Sequence, residues 1–302
     1  MTTYNKSNTV NNENATASRS AEQPLALTFT TDDGLTLAAD AWGNPDHPPV
    51  LLSHGGGQTR HTWQRTAERL ASLGWYAVAY DHRGHGESGW SPDGVYKLTV
   101  FAKDLQRIAR SFSRAPVLVG ASLGGLSALC ATSQFTPCPF AAIVLVDITP
   151  QMDQRGAQRI MAFMGDNMQR GFGSLDEAAT AIAEYTGREK RSNTEGLKKN
   201  LRLSDDGRYR WHWDPDFMVM RNQDEPSVST ESLMSAAEQA PVPILLVRGM
   251  LSDIVTPEVA EAFLARVPQA HYVDVKDAAH MVVGDKNDAF TESIVDFLTT
   301  IG

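Results

Sequence analysis

Ser122 stands at the centre of Gly120-Ala121-Ser122-Leu123-Gly124, a G-x-S-x-G pattern between an apolar run and a helical one. A serine at the apex of a strand-to-helix turn lifts its hydroxyl clear of the sheet, and small neighbours permit so tight a turn. The chemistry open to such a hydroxyl is nucleophilic attack on an acyl carbon. The Leu123 amide, at the start of the helix, lies where negative charge is favoured. The competing reading is a purely structural turn.

A serine needs a base, the base needs a carboxylate, and the developing oxyanion needs N–H donors. Of the eight histidines, His280 in "DAAHMVVGDKND" is placed best, in a loop between the last strand-like run and the terminal helix. Asp253, in "LLVRGMLSDIVTP", is favoured as the acid over Asp147, which closes "AAIVLVD". The order Ser122, Asp253, His280 is that of a Ser…Asp…His triad. The glycines of "SHGGGQ" (53–58) let the backbone approach a ligand closely, so Gly56 is expected to join Leu123 as oxyanion donor, with Gly57 beside it against the substrate. "DHRGHGES" (81–88) holds His82 and His85 three apart without a third ligand nearby, and reads as a loop-shaping segment rather than a metal site. No G-K-[ST] follows the glycines, so they are no phosphate loop, and no cofactor is expected.

These residues need a scaffold with one functional edge. "LALTFT" (25–30) and "LTLAADAW" (35–42) alternate around "TDDG" as a hairpin does. Apolar strands are expected at 49–54, 75–81, 115–122, 140–147 and from 241, and a further strand at "AHYVDV" (270–275), with helical spacing between most of them. That pattern predicts an α/β fold with a mostly parallel sheet of eight strands, covered on both faces. Between about 150 and 238 the alternation fails and helical segments take over. The expected organisation is a disordered tail (1–23), a first core part (24–147), a helical cap (148–240) and a second core part (241–302). Within the cap, Met161, Met164, Trp211 and Trp213 are large enough to line an apolar substrate pocket, although the same residues can serve as lid core.

The bulk numbers narrow the class. A chain of 302 residues with 42% hydrophobic and 21% charged residues can bury a large core. A net charge of −9 argues against nucleic acid or an anionic membrane as main partner and says nothing positive about the substrate; a small molecule is expected from the candidate nucleophile and cap residues instead. Two cysteines, Cys130 and Cys138, build no disulfide framework. With no apolar leader segment at the N-terminus, the expected location is cytoplasmic.

"LLSHGGGQTRHTW", "YDHRGHGESGW", "VLVGASLGG", "VRGMLSDIVTP" and "DAAHMVVGDKND" together resemble the α/β-hydrolase superfamily from about residue 25 to 302. The resemblance implies Ser122 as nucleophile, Asp253 as acid, His280 as base, and Gly56 and Leu123 as oxyanion donors. It implies a cap similar in placement to those of esterases, epoxide hydrolases and haloalkane dehalogenases. The last two use Asp where Ser122 stands, so serine points away from them and toward an ester or lactone. C–C hydrolases, perhydrolases and non-catalytic ligand receptors of the same fold are the alternatives.

Overall fold

The computed structural model describes residues 23–187, 189–190, 192–221, 228–280 and 287–301. The expected N-terminal tail lies outside the described residues up to position 22. Eight strands form one sheet: β1 (Leu25–Thr30), β2 (Thr36–Trp42), β3 (Pro49–Ser53), β4 (Tyr76–Tyr80), β5 (Val117–Ala121), β6 (Ala142–Val146), β9 (Ile244–Gly249) and β10 (His271–Val275). Their order is β1-β2-β4-β3-β5-β6-β9-β10, and β2 alone runs against its neighbours.

The central strands are apolar at nearly every position because both faces are covered. Along β5, Leu118 faces one apolar layer, while Val117, Val119 and Ala121 face the other. The first layer is closed by α2 (Leu98–Ala109), α3 (Leu123–Gln134), α7 (Thr230–Glu238) and α8 (Pro257–Arg266), through residues such as Leu105, Leu129, Leu233 and Phe263. The second is closed by α1 (Gln64–Ser72) and α9 (Thr291–Ile301), through Leu70, Ile294 and Phe297. Cys130 is fully buried in the first layer, its Sγ accepting from Gln134 Nε2 at 3.4 Å.

Between β6 and α7 lies a third apolar cluster, the core of the cap. Its elements are α4 (Gln154–Asp166), α5 (Leu175–Thr186), a 3-10 turn at Glu195–Lys199, a hairpin of β7 (Leu201–Leu203) and β8 (Tyr209–Trp211), and the short α6 (Asp216–Arg221). The Asp153 and Ser174 side chains accept from the first free amides of α4 and α5, which fixes where those helices start. The structure corrects the expected cap in two places. A two-stranded hairpin stands within the stretch 148–240 expected as a helical cap. Helix α7, expected inside the cap, packs Leu233, Met234 and Ala237 into the main core.

Candidate active site

The turn after β5 is built by steric exclusion. A Cβ on Gly120 would lie 2.5 Å from the Gly125 nitrogen, and one on Gly124 would lie 2.5 Å from the Ser53 carbonyl oxygen. No side chain fits at either place, so strand and helix approach as closely as backbone allows. Ser122 carries the resulting strain, with φ 45° and ψ −111°. Such a conformation costs about 1–3 kcal/mol and is kept only where the surroundings over-determine it. Ser122 remains partly exposed, while all other residues from Val117 to Gly125 are buried.

Strands β5 and β6 pair in parallel, with Ala121 opposite Val146. Ser122 and Asp147 are therefore each the first residue beyond the same rung. Asp147 also has a positive φ, 50°, which turns its carboxylate back under the edge. One carboxylate oxygen accepts from the Gly249 N–H at 2.9 Å, and the other lies 2.9 Å from His280 Nδ1. The Asp147 side chain is 2% exposed and that of His280 is 7% exposed. The His280 loop is held over β9 by a hydrogen bond from the Leu251 N–H to the Ala278 carbonyl, 2.8 Å. A Cβ on Gly249 would meet that carbonyl oxygen at 2.6 Å, so glycine permits the approach.

This geometry corrects the expectation for the acid. Asp253 does not partner His280; it faces Arg159 of the cap at 3.4 Å, with its side chain 35% exposed. The physical reason is the course of its loop. The Asp253 carbonyl packs on the start of α4, where a Cβ on Gly156 would clash with it, and the carboxylate is carried outward to the cap surface.

The glycine-rich loop comes up beside the serine: a Cβ on Gly55 would lie 3.3 Å from Ser122 Cβ. Of its three amides, Gly55 N–H donates to Gln58 Oε1 at 2.9 Å and Gly57 N–H to His85 Nε2 at 3.1 Å. Gly56 N–H is drawn into neither bond. Leu123 N–H, at the first position of α3, has no partner within its own helix.

Sequence reasoning underrated the histidines beneath this loop. His54, His82 and His85 are fully buried, and the ring centroids of His54 lie 4.5 and 5.3 Å from those of His82 and His85. His54 Nε2 accepts from the His82 amide, so its Nδ1 carries the proton and donates to the Gly55 carbonyl at 2.8 Å. Burial pushes the His54 imidazole down to about 4, and the His82 imidazole well below its ordinary value. His54 and His82 are thus held neutral, and with His85 they form a hydrogen-bonded bed for the loop. "HGGG" and "DHRGHG" carried the signal, since each sets histidines among glycines that need bonding. Beside it, buried Arg60 binds Asp40 and Asp81, and buried Arg83 binds Asp104, pinning both loops to the core.

The four cap residues expected in a pocket all belong to the cap's apolar cluster. Met164, Trp211 and Trp213 are buried and Met161 is half-buried. That cluster also contains Leu123, so the cap core rests on the residue next to the serine. A cavity of about 400 Å³ lies elsewhere on the core–cap seam, lined by His61, Thr62 and Arg65 on one side and Ile182, Leu197 and Lys199 on the other. None of the four expected residues lines it, nor do Ser122, Asp147 and His280.

A sequence model described as the alpha/beta hydrolase fold matches residues 48–287. The chain belongs to this family. Among hydrolases of known name, it is 30% identical to the esterase Rv0045c of Mycobacterium tuberculosis over 273 residues, covering 87% of each chain. It is 25% identical to the 3-hydroxybutyrate-oligomer hydrolase of Cupriavidus necator, covering 81% of this chain and 86% of that one. The crystal structure of an alpha/beta hydrolase from Novosphingobium aromaticivorans superimposes with a TM-score of 0.76 at 26% identity, covering 92% of this chain and 98% of that one. Among the described residues of this hydrolase, no helix is long and apolar enough to cross a membrane.

Proposed function

We propose that the chain is a carboxylic ester hydrolase working through an acyl-enzyme, with Ser122 as nucleophile, His280 as base and Asp147 as the acid behind it. The observation that carries this reading is the 2.9 Å contact of His280 Nδ1 with a buried Asp147 oxygen, one strand over from the strained Ser122 turn. A carboxylate can only accept here, so the His280 proton sits on Nδ1 and Nε2 keeps the lone pair a base needs. Ser122 Oγ attacks the ester carbonyl as Nε2 takes its proton. The oxyanion forms against the N–H groups of Gly56 and Leu123. The imidazolium, stabilised by Asp147, then protonates the departing alcohol. Water, activated by the same nitrogen, releases the acid and restores the serine.

Two of the relatives that span most of the chain are an esterase and a hydrolase of hydroxybutyrate oligomers by name, which supports an ester as the bond broken. The substrate is a small molecule with an apolar acyl or alcohol portion, in keeping with the apolar cap that rests on Leu123. Lactones share the route, and a panel of linear esters and lactones ranks the two. The test of the nucleophile is Ser122→Ala assayed with p-nitrophenyl acetate. Loss of both the burst and the turnover is expected; a variant that turns over at the wild-type rate refutes the assignment.

A further inference from the structure

The segment "DHRGHGES" has no part in the reaction just described, yet it lies between two regions that do. His85 is fully buried. Its Nε2 accepts from the Gly57 N–H at 3.1 Å, so the ring proton sits on Nδ1, 3.1 Å from the Arg83 carbonyl oxygen. On its other side the ring stands edge-on to Phe217 of α6, with centroids 4.7 Å apart. The backbone around it joins the cap directly. Gly86 N–H donates to the His212 carbonyl and Asp214 N–H to the Gly84 carbonyl, both at 2.7 Å, with His85 opposite Trp213. One imidazole therefore meets the glycine loop through one nitrogen and the cap through its ring and its backbone.

The consequence falls on Gly56. Three successive glycines have wide conformational freedom, and a donor that must aim at a developing oxyanion loses its value if it wanders. Here the residues on both sides of Gly56 are pinned, Gly55 N–H by the Gln58 side chain and Gly57 N–H by His85. Gln58 belongs to the loop itself. His85 touches the cap as well.

We propose that His85 is a positioning residue that couples the cap to the oxyanion loop: it fixes the peptide after Gly56 and transmits the placement of cap segment 212–217 to that donor. This rests on the serine-hydrolase reading above. The cap then acts on the chemistry through the aim of one amide as well as through any contact with substrate.

The test pairs His85→Phe, which keeps a ring against Phe217 but removes the acceptor, with His85→Gln, whose carbonyl can again accept from Gly57. Each is assayed for kcat and KM with p-nitrophenyl acetate, and for affinity toward a trifluoromethyl ketone, which forms a tetrahedral oxyanion on the serine. Removing an oxyanion donor outright costs roughly 100- to 1,000-fold in kcat, so misaiming one is expected to cost about 10- to 100-fold. His85→Phe should show that loss with KM changed by less than about threefold, a parallel loss of ketone affinity, and partial recovery in His85→Gln. Phe217→Leu, in the cap with His85 intact, should show the same signature more weakly. A folded His85→Phe with kcat within about twofold of wild type overturns the proposal, as does a kcat loss without loss of ketone affinity. If His85→Phe does not fold, unchanged ketone affinity in Phe217→Leu overturns the coupling. Ser122→Ala in the same assays separates the two readings. Activity surviving there removes the proposed function itself, whereas its loss beside a neutral His85→Phe removes only the positioning role.

Discussion

Two aspartates follow parallel strands at the same edge of the sheet and have opposite fates. Asp147, after β6, turns inward at φ 50°, and its two oxygens are assigned to Gly249 and His280. Asp253, after β9, turns outward onto Arg159 at 3.4 Å. Both have the residue type and the position for an acid. What separates them is whether the chain folds the carboxylate beneath the edge, where water is excluded and a single partner fixes each oxygen. The contrast is general in this molecule. The Arg83–Asp104 pair has both side chains 3% exposed, whereas those of Arg159 and Asp253 are 57% and 35% exposed.

The sharpest way to break the comparison is to neutralise each aspartate in turn. Asp147→Asn keeps an acceptor for Gly249 but presents an amide to His280, favouring the wrong tautomer. A kcat loss of about 1,000- to 10,000-fold is expected, by analogy with the buried aspartate of serine proteases. A loss of that size in Asp253→Asn, with Asp147→Asn near wild type, would reverse the assignment. Next in size is the inner ion pair. Asp104→Ala leaves a buried guanidinium with only the half-exposed Asp33 beside it, and is expected to cost about 3–5 kcal/mol in urea unfolding. A change below about 1 kcal/mol would place that pair with the surface ones.

Protonation draws the same line between inside and outside. The folded-state value of His54 lies below its unfolded one, so below pH 6.5 the unfolded chain binds a proton that the folded chain refuses. Its contribution is complete above pH 6.5 and is lost progressively as pH falls toward about 4, to the extent of about 3 kcal/mol. His82 is depressed by burial in the same direction. The Tm should therefore fall across that window, and a flat Tm from pH 7 to 4.5 would refute the neutral bed beneath the glycine loop. The smallest effect belongs to the outer pair: Arg159→Ala should change unfolding stability by less than about 1 kcal/mol, leaving kcat within about threefold.

The inner strands β3 to β6 and β9 were legible because a sheet covered on both faces demands apolar residues at nearly every position, and β1 and β2 were legible through the alternation of their hairpin. The serine turn was legible because its glycines have a steric cause, seen in the 2.5 Å approaches at Gly120 and Gly124. The partner of His280 was not, since "VLVD" and "MLSD" present the same local signal and only bonds to distant residues tell them apart. The cap boundary failed for a related reason: the apolar spacing of α7 is the same whichever layer it faces. The cap hairpin carried a signal that went unused. "SDDG" at 204–207 repeats the "TDDG" of 31–34, and both turns close alike, with Gly N–H on the Ser204 or Thr31 carbonyl and glycine φ of 78° and 86°.

The pairing of Ala121 with Val146 has a consequence for the whole sheet. Side chains along a strand alternate between faces, so sliding β5 past β6 by one residue would carry Ser122 out of step with Asp147 and turn every apolar residue of the strand to the wrong layer. The hydrophobic interior thus acts as the alignment gauge for Ser122 and Asp147. A substitution deep in the middle of β5 or β6, touching no substrate, can act as a catalytic lesion through the register of two strands.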